Sequence, residues 1–157
     1  RRIVLLDADL RQPGAHTLFG LPQTPGLADV LAGAATLDDV IVELPDYRLS
    51  FVPAGLPPER PAELLGSGAM RRTMEALRAR FDRVLVDVPP VLPLADVGVI
   101  TPFTDGTVMV VRAGLTAKPQ IQRALAAFDA DRIVGLVLNG SGGPAPAGNK
   151  FGLRRAR

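Results

Sequence analysis

Cysteine and tryptophan are absent from the 157 residues, and tyrosine and histidine occur once each. Without cysteine there can be no disulfide, thiolate zinc site, iron–sulfur cluster or thiol nucleophile. That absence fits a reducing compartment. A single histidine, His16, cannot build a histidine metal centre and reads as structural. With one tyrosine and no tryptophan, a platform for stacking successive bases is not expected. No apolar run reaches the roughly 18–20 residues that a membrane helix needs. The first apolar run already carries Asp7 and Asp9, which argues against a secretory leader. The charge excess is small: 18 basic against 16 acidic side chains leave +2. With no basic run interleaved with aromatics, nucleic acid is not expected as a partner.

What remains is an ordinary globular composition, 47% hydrophobic and 22% charged. Such a chain is large enough to bury a core without covalent staples. Five short apolar runs read as strands: Ile3–Asp7, Leu49–Pro53, Arg83–Asp87, Thr107–Val111 and Ile133–Leu138. Most are continuously apolar rather than alternating, as in strands covered on both faces. Helical patterns lie between them, over Gly26–Leu31, Leu37–Val42, Pro61–Arg80 and Ala117–Phe128. Strands alternating with helices predict an α/β fold, a doubly wound, mostly parallel sheet flanked by helices. Residues 1–140 read as one domain, and 141–157 as a flexible tail rich in Gly, Pro and Arg.

In an open α/β sheet ligands sit beyond the carboxyl ends of the strands. Those ends carry Asp7, Asp9 and Arg11 on the first strand, Asp87 on the third, Arg112 on the fourth and Asn139 on the fifth. Three carboxylates on neighbouring strand ends repel one another unless a cation or proton intervenes. Mg²⁺ answers that repulsion, because it takes oxygen ligands and is often held by one or two carboxylates together with substrate phosphates. Arg11 could face phosphate oxygens. Aspartates also end strands and cap turns, so these residues alone leave both readings open.

Taken in order, IVLLDADLRQP, HTLFGLPQTPGLADVLAG, LSFVPAGLPPERPAELLGSGAM, FDRVLVDVPPVLPLADV, DGTVMVVRAGLT and GLVLNG resemble the bacterial tyrosine kinases (BY-kinases) of capsule and exopolysaccharide synthesis. These are relatives of the deviant Walker ATPases of MinD and ParA type. DADLRQP resembles the Walker A′ motif and VLVDVPP the Walker B motif. The resemblance implies an ATP-dependent protein-tyrosine kinase with ATP and Mg²⁺ as cofactors. It implies Asp7 as the base for the acceptor hydroxyl, and Asp9 and Asp87 as the Mg²⁺ carboxylates. Arg11, Arg112 and Asn139 would be nucleotide-binding, with Asn139 on the adenine side.

The chain departs from this pattern in two places. No G-x-x-x-x-G-K-[ST] loop occurs; the near-match Gly143–Phe151 displaces its lysine, lacks Ser/Thr, and loses N–H donors at Pro144 and Pro146. A truncated domain is the expected explanation, with no measurable Mg²⁺-ATP binding, no kinase activity of this chain alone and uncovered apolar strand surface as its consequences. The tail carries no tyrosine, and Tyr47 reads as a partly buried loop anchor. Two alternatives follow: a non-catalytic scaffold for a membrane polysaccharide protein, or a MinD/ParA-type ATPase. Expected partners are a membrane chain-length determinant or transport protein, and further copies of the chain in a homo-oligomer. The expected location is cytoplasmic, at the inner face of the plasma membrane.

Overall fold

The computed structural model describes residues 1–91 and 96–140. The expected tail, the Gly143–Phe151 near-match and part of the segment after Pro90 lie outside them. The chain divides into two compact units, Arg1–Asp105 and Gly106–Arg157.

The first unit is built on a four-stranded sheet of β1 (Ile3–Asp7), β2 (Val42–Leu44), β3 (Leu49–Val52) and β4 (Arg83–Asp87), in the order β2-β3-β1-β4. β1 runs parallel to both β3 and β4, and only β2 is antiparallel. Around the sheet lie α1 (Ala15–Leu18), α2 (Leu27–Leu31), α3 (Leu37–Val40), α4 (Pro61–Leu65), α5 (Gly68–Arg80) and α6 (Asp96–Ile100). Val4, Leu6, Leu10, Leu27, Phe51, Val52, Leu65, Met70 and Leu77 form the fully buried interior. At roughly 1.5–3 kcal/mol per large apolar side chain, this set supplies much of the unit's stability.

The stretch expected as one helix over Pro61–Arg80 is two. Gly66 ends α4, and Ser67, in an extended conformation, caps α5 by accepting the N–H of Met70 at 3.3 Å. The pattern expected as helical through Val42 stops at Val40, because Val42–Leu44 leaves it to pair with β3. A second junction joins α2 to the end of β3. Leu27 and Ala28 donate their N–H groups to the carbonyls of Pro53 and Ala54 at 2.7 and 2.8 Å. The backbones approach so closely there that a Cβ on Gly26 would lie 2.2 Å from the Gly55 nitrogen.

The second unit pairs β5 (Thr107–Arg112) with β6 (Ile133–Asn139) in parallel, connected through α7 (Lys118–Leu125). Val108, Val110, Val134, Leu136, Val137 and Leu138 are exposed. Covered strands were the general expectation; β1 and β3 meet it and β6 does not.

Candidate functional site

β1 and β4 are aligned residue for residue, and their last partners are Asp7 and Asp87. Adjacent strands lie about 4.8 Å apart, so this register puts two carboxylates side by side at the carboxyl edge of the sheet. Ala8 then donates its N–H to the Asp87 carbonyl at 2.8 Å, extending the ladder one step past the strand.

Beyond Ala8 the chain folds around its own aspartates. One Asp7 oxygen accepts the N–H of Asp9 at 3.1 Å, and the other that of Ala15, the first residue of α1, at 3.3 Å. Asp9 in turn accepts the N–H groups of Arg11 and Gln12 at 3.2 and 3.0 Å through its Oδ1. This is the Asx-turn geometry that short acidic side chains favour. The two aspartates thus differ. Asp7 is 1% exposed, with both oxygens engaged, whereas Asp9 is half-buried. Asp87 and Arg11 are exposed.

Electrostatics mark the same place. Burial pushes the Asp7 carboxyl above its ordinary value, opposed by the N–H of Asp9, reinforced by the Asp87 charge, and again opposed by the Ala15 N–H. Desolvation, followed by the charge of Asp9, also raises Asp87, against an opposing N–H from Val88. Each carboxylate therefore disfavours ionisation of its neighbour, and a cation brought here would relieve both.

Among the described residues no group of three or more His, Cys, Asp or Glu side chains is placed to hold a metal ion by itself. The donors fit an ion that completes its shell with phosphate oxygens and water, as Mg²⁺ commonly does. They do not fit an all-protein cage. The site's oxygens are hard donors, and its charge is uncompensated except by backbone N–H groups and whatever Arg11 provides.

The remaining two expected residues lie together in the second unit. Arg112 and Asn139 are register partners at the carboxyl ends of β5 and β6, both exposed, and Ala113 donates its N–H to the Asn139 carbonyl at 2.8 Å. The expected residues therefore form two groups, the aspartates with Arg11 in one unit and Arg112 with Asn139 in the other. His16 lies on α1, its Nδ1 buried and without a hydrogen-bond partner among the described residues.

Sequence reasoning missed the part played by Ala15. Its contribution is a backbone N–H, which no side-chain motif announces. The Gly26–Asp29 cap was partly legible as the short helix beginning at Gly26. Asp29 accepts the Gly26 N–H at 2.8 Å, an acidic variant of the reciprocal cap.

No family model matches this chain. Among curated proteins it is 34% identical over 142 residues to the tyrosine-protein kinase YwqD of Bacillus subtilis, covering 89% of this chain and 60% of YwqD. It is 32% identical over 154 residues to a putative tyrosine-protein kinase in the cps region of Klebsiella pneumoniae, covering 97% of this chain and 21% of that protein. Among solved structures, the kinase domain of the Escherichia coli tyrosine kinase ETK superimposes with a TM-score of 0.79 at 32% identity, over 88% of this chain and 55% of that one. The chain thus spans a little over half of YwqD and about a fifth of the Klebsiella protein.

Proposed function

We propose, from this chain's homology to the bacterial tyrosine kinases of capsule and exopolysaccharide systems, that it forms part of a kinase domain passing the γ-phosphoryl group of ATP to a protein tyrosine. The observation that carries the reading is the alignment of Asp7 with Asp87, with Asp9 on the turn beside them. In such a transfer the bond from the tyrosine oxygen to the γ-phosphorus forms as the bond to the β,γ-bridging oxygen breaks. ADP departs, and the phenolic proton goes to a base.

Asp9 and Asp87, the less enclosed carboxylates, are the residues that would hold Mg²⁺, with Asp9 already using Oδ1 in its turn. Bound there, the ion would offset charge on the phosphate oxygens, the main electrostatic demand of phosphoryl transfer. Asp7 is the proposed base, and its raised pKa brings it closer to the range useful near neutrality. Because it is 1% exposed, it would take the proton through an intervening water rather than by direct contact. The N–H groups of Asp9 and Ala15 keep its carboxylate oriented meanwhile. Arg11 would supply positive charge to phosphate; Arg112 and Asn139 are proposed as nucleotide-binding residues of the second unit.

Transport or chain-length proteins of the membrane are the proposed partners, at the inner face of the plasma membrane. No helix among the described residues is long and apolar enough to cross a membrane. The test is phosphotransfer from labelled ATP to a glutamate–tyrosine copolymer by the complete protein. Asp9→Ala and Asp87→Ala should each lower the rate by about 100-fold or more, the usual scale for losing a group aimed at developing charge. Unchanged rates in both would end the assignment.

A further inference from the structure

α1 is a single turn, Ala15–Leu18, and a helix of that length is not stable in water by itself. Its N-cap is Gly14, which has no side chain to offer the first N–H groups. Three tethers replace the missing cap. Asp7 reaches across eight residues to accept the Ala15 N–H on its Oδ2 at 3.3 Å. Thr17 donates its hydroxyl to the Gly14 carbonyl at 2.7 Å and its N–H to the same oxygen at 3.1 Å. Phe19, directly after the turn, rests on the fully buried Phe51, ring centroids 5.0 Å apart, and meets Tyr47 edge-on at 5.2 Å.

The first two tethers meet on one peptide unit. The Gly14 carbonyl and the Ala15 N–H belong to the same rigid plane, so fixing the oxygen fixes the direction of the N–H. A hydroxyl bonded to the carbonyl three residues back is common for threonine in a helical turn. What sets this one apart is the other end of the peptide, which holds the carboxylate proposed as the base. Asp7 is oriented by the N–H of Asp9 on Oδ1 at 3.1 Å and by that of Ala15 on Oδ2. Losing either would free the carboxylate to turn about its Cβ–Cγ bond. Hydrogen bonds in series also polarise one another, so the bond at the Gly14 oxygen makes the Ala15 N–H a better donor.

Resting on the kinase reading above, we infer that Thr17 is a positioning residue for phosphoryl transfer: its hydroxyl, acting through the Gly14–Ala15 peptide, keeps the Asp7 carboxylate turned to receive the acceptor's proton. Asp7 is 1% exposed whereas Thr17 is on the surface, so a substitution at Thr17 reaches the base without opening the interior. Misplacing a reacting group slightly is enough to slow catalysis while leaving substrate binding intact.

The experiment measures steady-state phosphorylation of the glutamate–tyrosine copolymer by the complete protein at varied Mg²⁺-ATP, for Thr17→Val, Thr17→Ser and Asp7→Asn. Thr17→Val keeps the branched shape and drops the hydroxyl. It should lower kcat about 3–10-fold, the scale of one net hydrogen bond, with the KM for ATP within about 2-fold of wild type. Thr17→Ser retains the donor and should return kcat to within about 2-fold of wild type. Asp7→Asn should lose about 100-fold or more, as expected for a general base. An unchanged kcat in Thr17→Val, with Asp7→Asn impaired, overturns this inference and leaves the kinase reading standing. Thr17→Ser as slow as Thr17→Val also overturns it, because the hydroxyl would not be the active part. A raised KM for ATP at unchanged kcat overturns it too, by making Thr17 a nucleotide contact. Wild-type rates in Asp7→Asn remove the base assignment and this inference together, and no labelling by the wild-type protein overturns the kinase reading itself.

Discussion

β1 and β6 are written in nearly the same letters, IVLLD and IVGLVLN, and meet opposite fates. Leu6 of β1 is 0% exposed, while Val134 and Leu136 of β6 are 74% and 52% exposed. β1 has a parallel neighbour on each side, β3 and β4, and helices pack against its sheet. β6 has one neighbour, β5, in a two-stranded sheet. A continuous apolar run therefore states that a strand demands cover. Whether the demand is met depends on elements remote in sequence, which the run itself does not name.

The contrast can be broken most sharply by truncating matched side chains. Leu6→Ala should lower unfolding stability by about 2–5 kcal/mol, the range for a buried leucine leaving a cavity. Leu136→Ala should stay within about 0.5 kcal/mol, as exposed positions do. Urea denaturation of the two variants measures both, and similar losses would mean that β6 is covered as well as β1. A smaller effect, about 1–3 kcal/mol, is expected from Gly26→Ala. The new methyl group would meet the Gly55 nitrogen and the Pro53 carbonyl, backbone atoms that cannot turn aside as side chains do. A shift in thermal midpoint below a degree would show that the α2–β3 junction yields. Ser67→Ala should cost about 1 kcal/mol, because the Met70 N–H loses its acceptor at the start of α5. Restoration by Ser67→Asp would separate capping from any other role of the hydroxyl.

Much of the first unit was legible for a reason these variants probe. β1 and β4 each end an apolar run in aspartate, so the run located the strand and the acid located its end. The register that makes Asp7 and Asp87 neighbours was not legible, because pairing is a relation between segments about eighty residues apart. Short elements escaped for the opposite reason. β2 is only Val42-Glu43-Leu44, and its identity comes from β3 beside it. The break between α4 and α5 was hidden because Leu64, Leu65, Met70 and Met74 keep a helical spacing across Gly66-Ser67. The engagement of Asp7 by Ala15 left no trace at all, since any residue but proline could donate that N–H.

The carboxylates themselves offer the finest division within the first unit. Asp7 and Asp87 are raised above their ordinary value of 3.8, chiefly by desolvation. Asp39 and Asp82 are lowered below it, Asp39 by its side-chain and backbone bonds with Thr36 and Asp82 by the Arg2 N–H. For the raised pair the folded state binds protons more tightly than the unfolded chain, so ionising them weakens the fold. Their penalty is absent below the unfolded pKa and grows as pH climbs through the raised folded values. The lowered pair act oppositely, stabilising above the unfolded pKa and losing that contribution as pH falls through their folded values. Asp87→Asn should therefore reduce the decline of stability from pH 4 towards neutrality, with the smallest change of the set because the side chain is exposed. Asp39→Asn should instead cost stability near neutrality, and less as pH falls below the ordinary value of 3.8. Thermal melts across that range, without divalent cation, read both slopes. If Asp87→Asn steepened the decline instead, desolvation and the charge of Asp9 would not be raising Asp87, and the argument that these carboxylates call for a cation would fail with it.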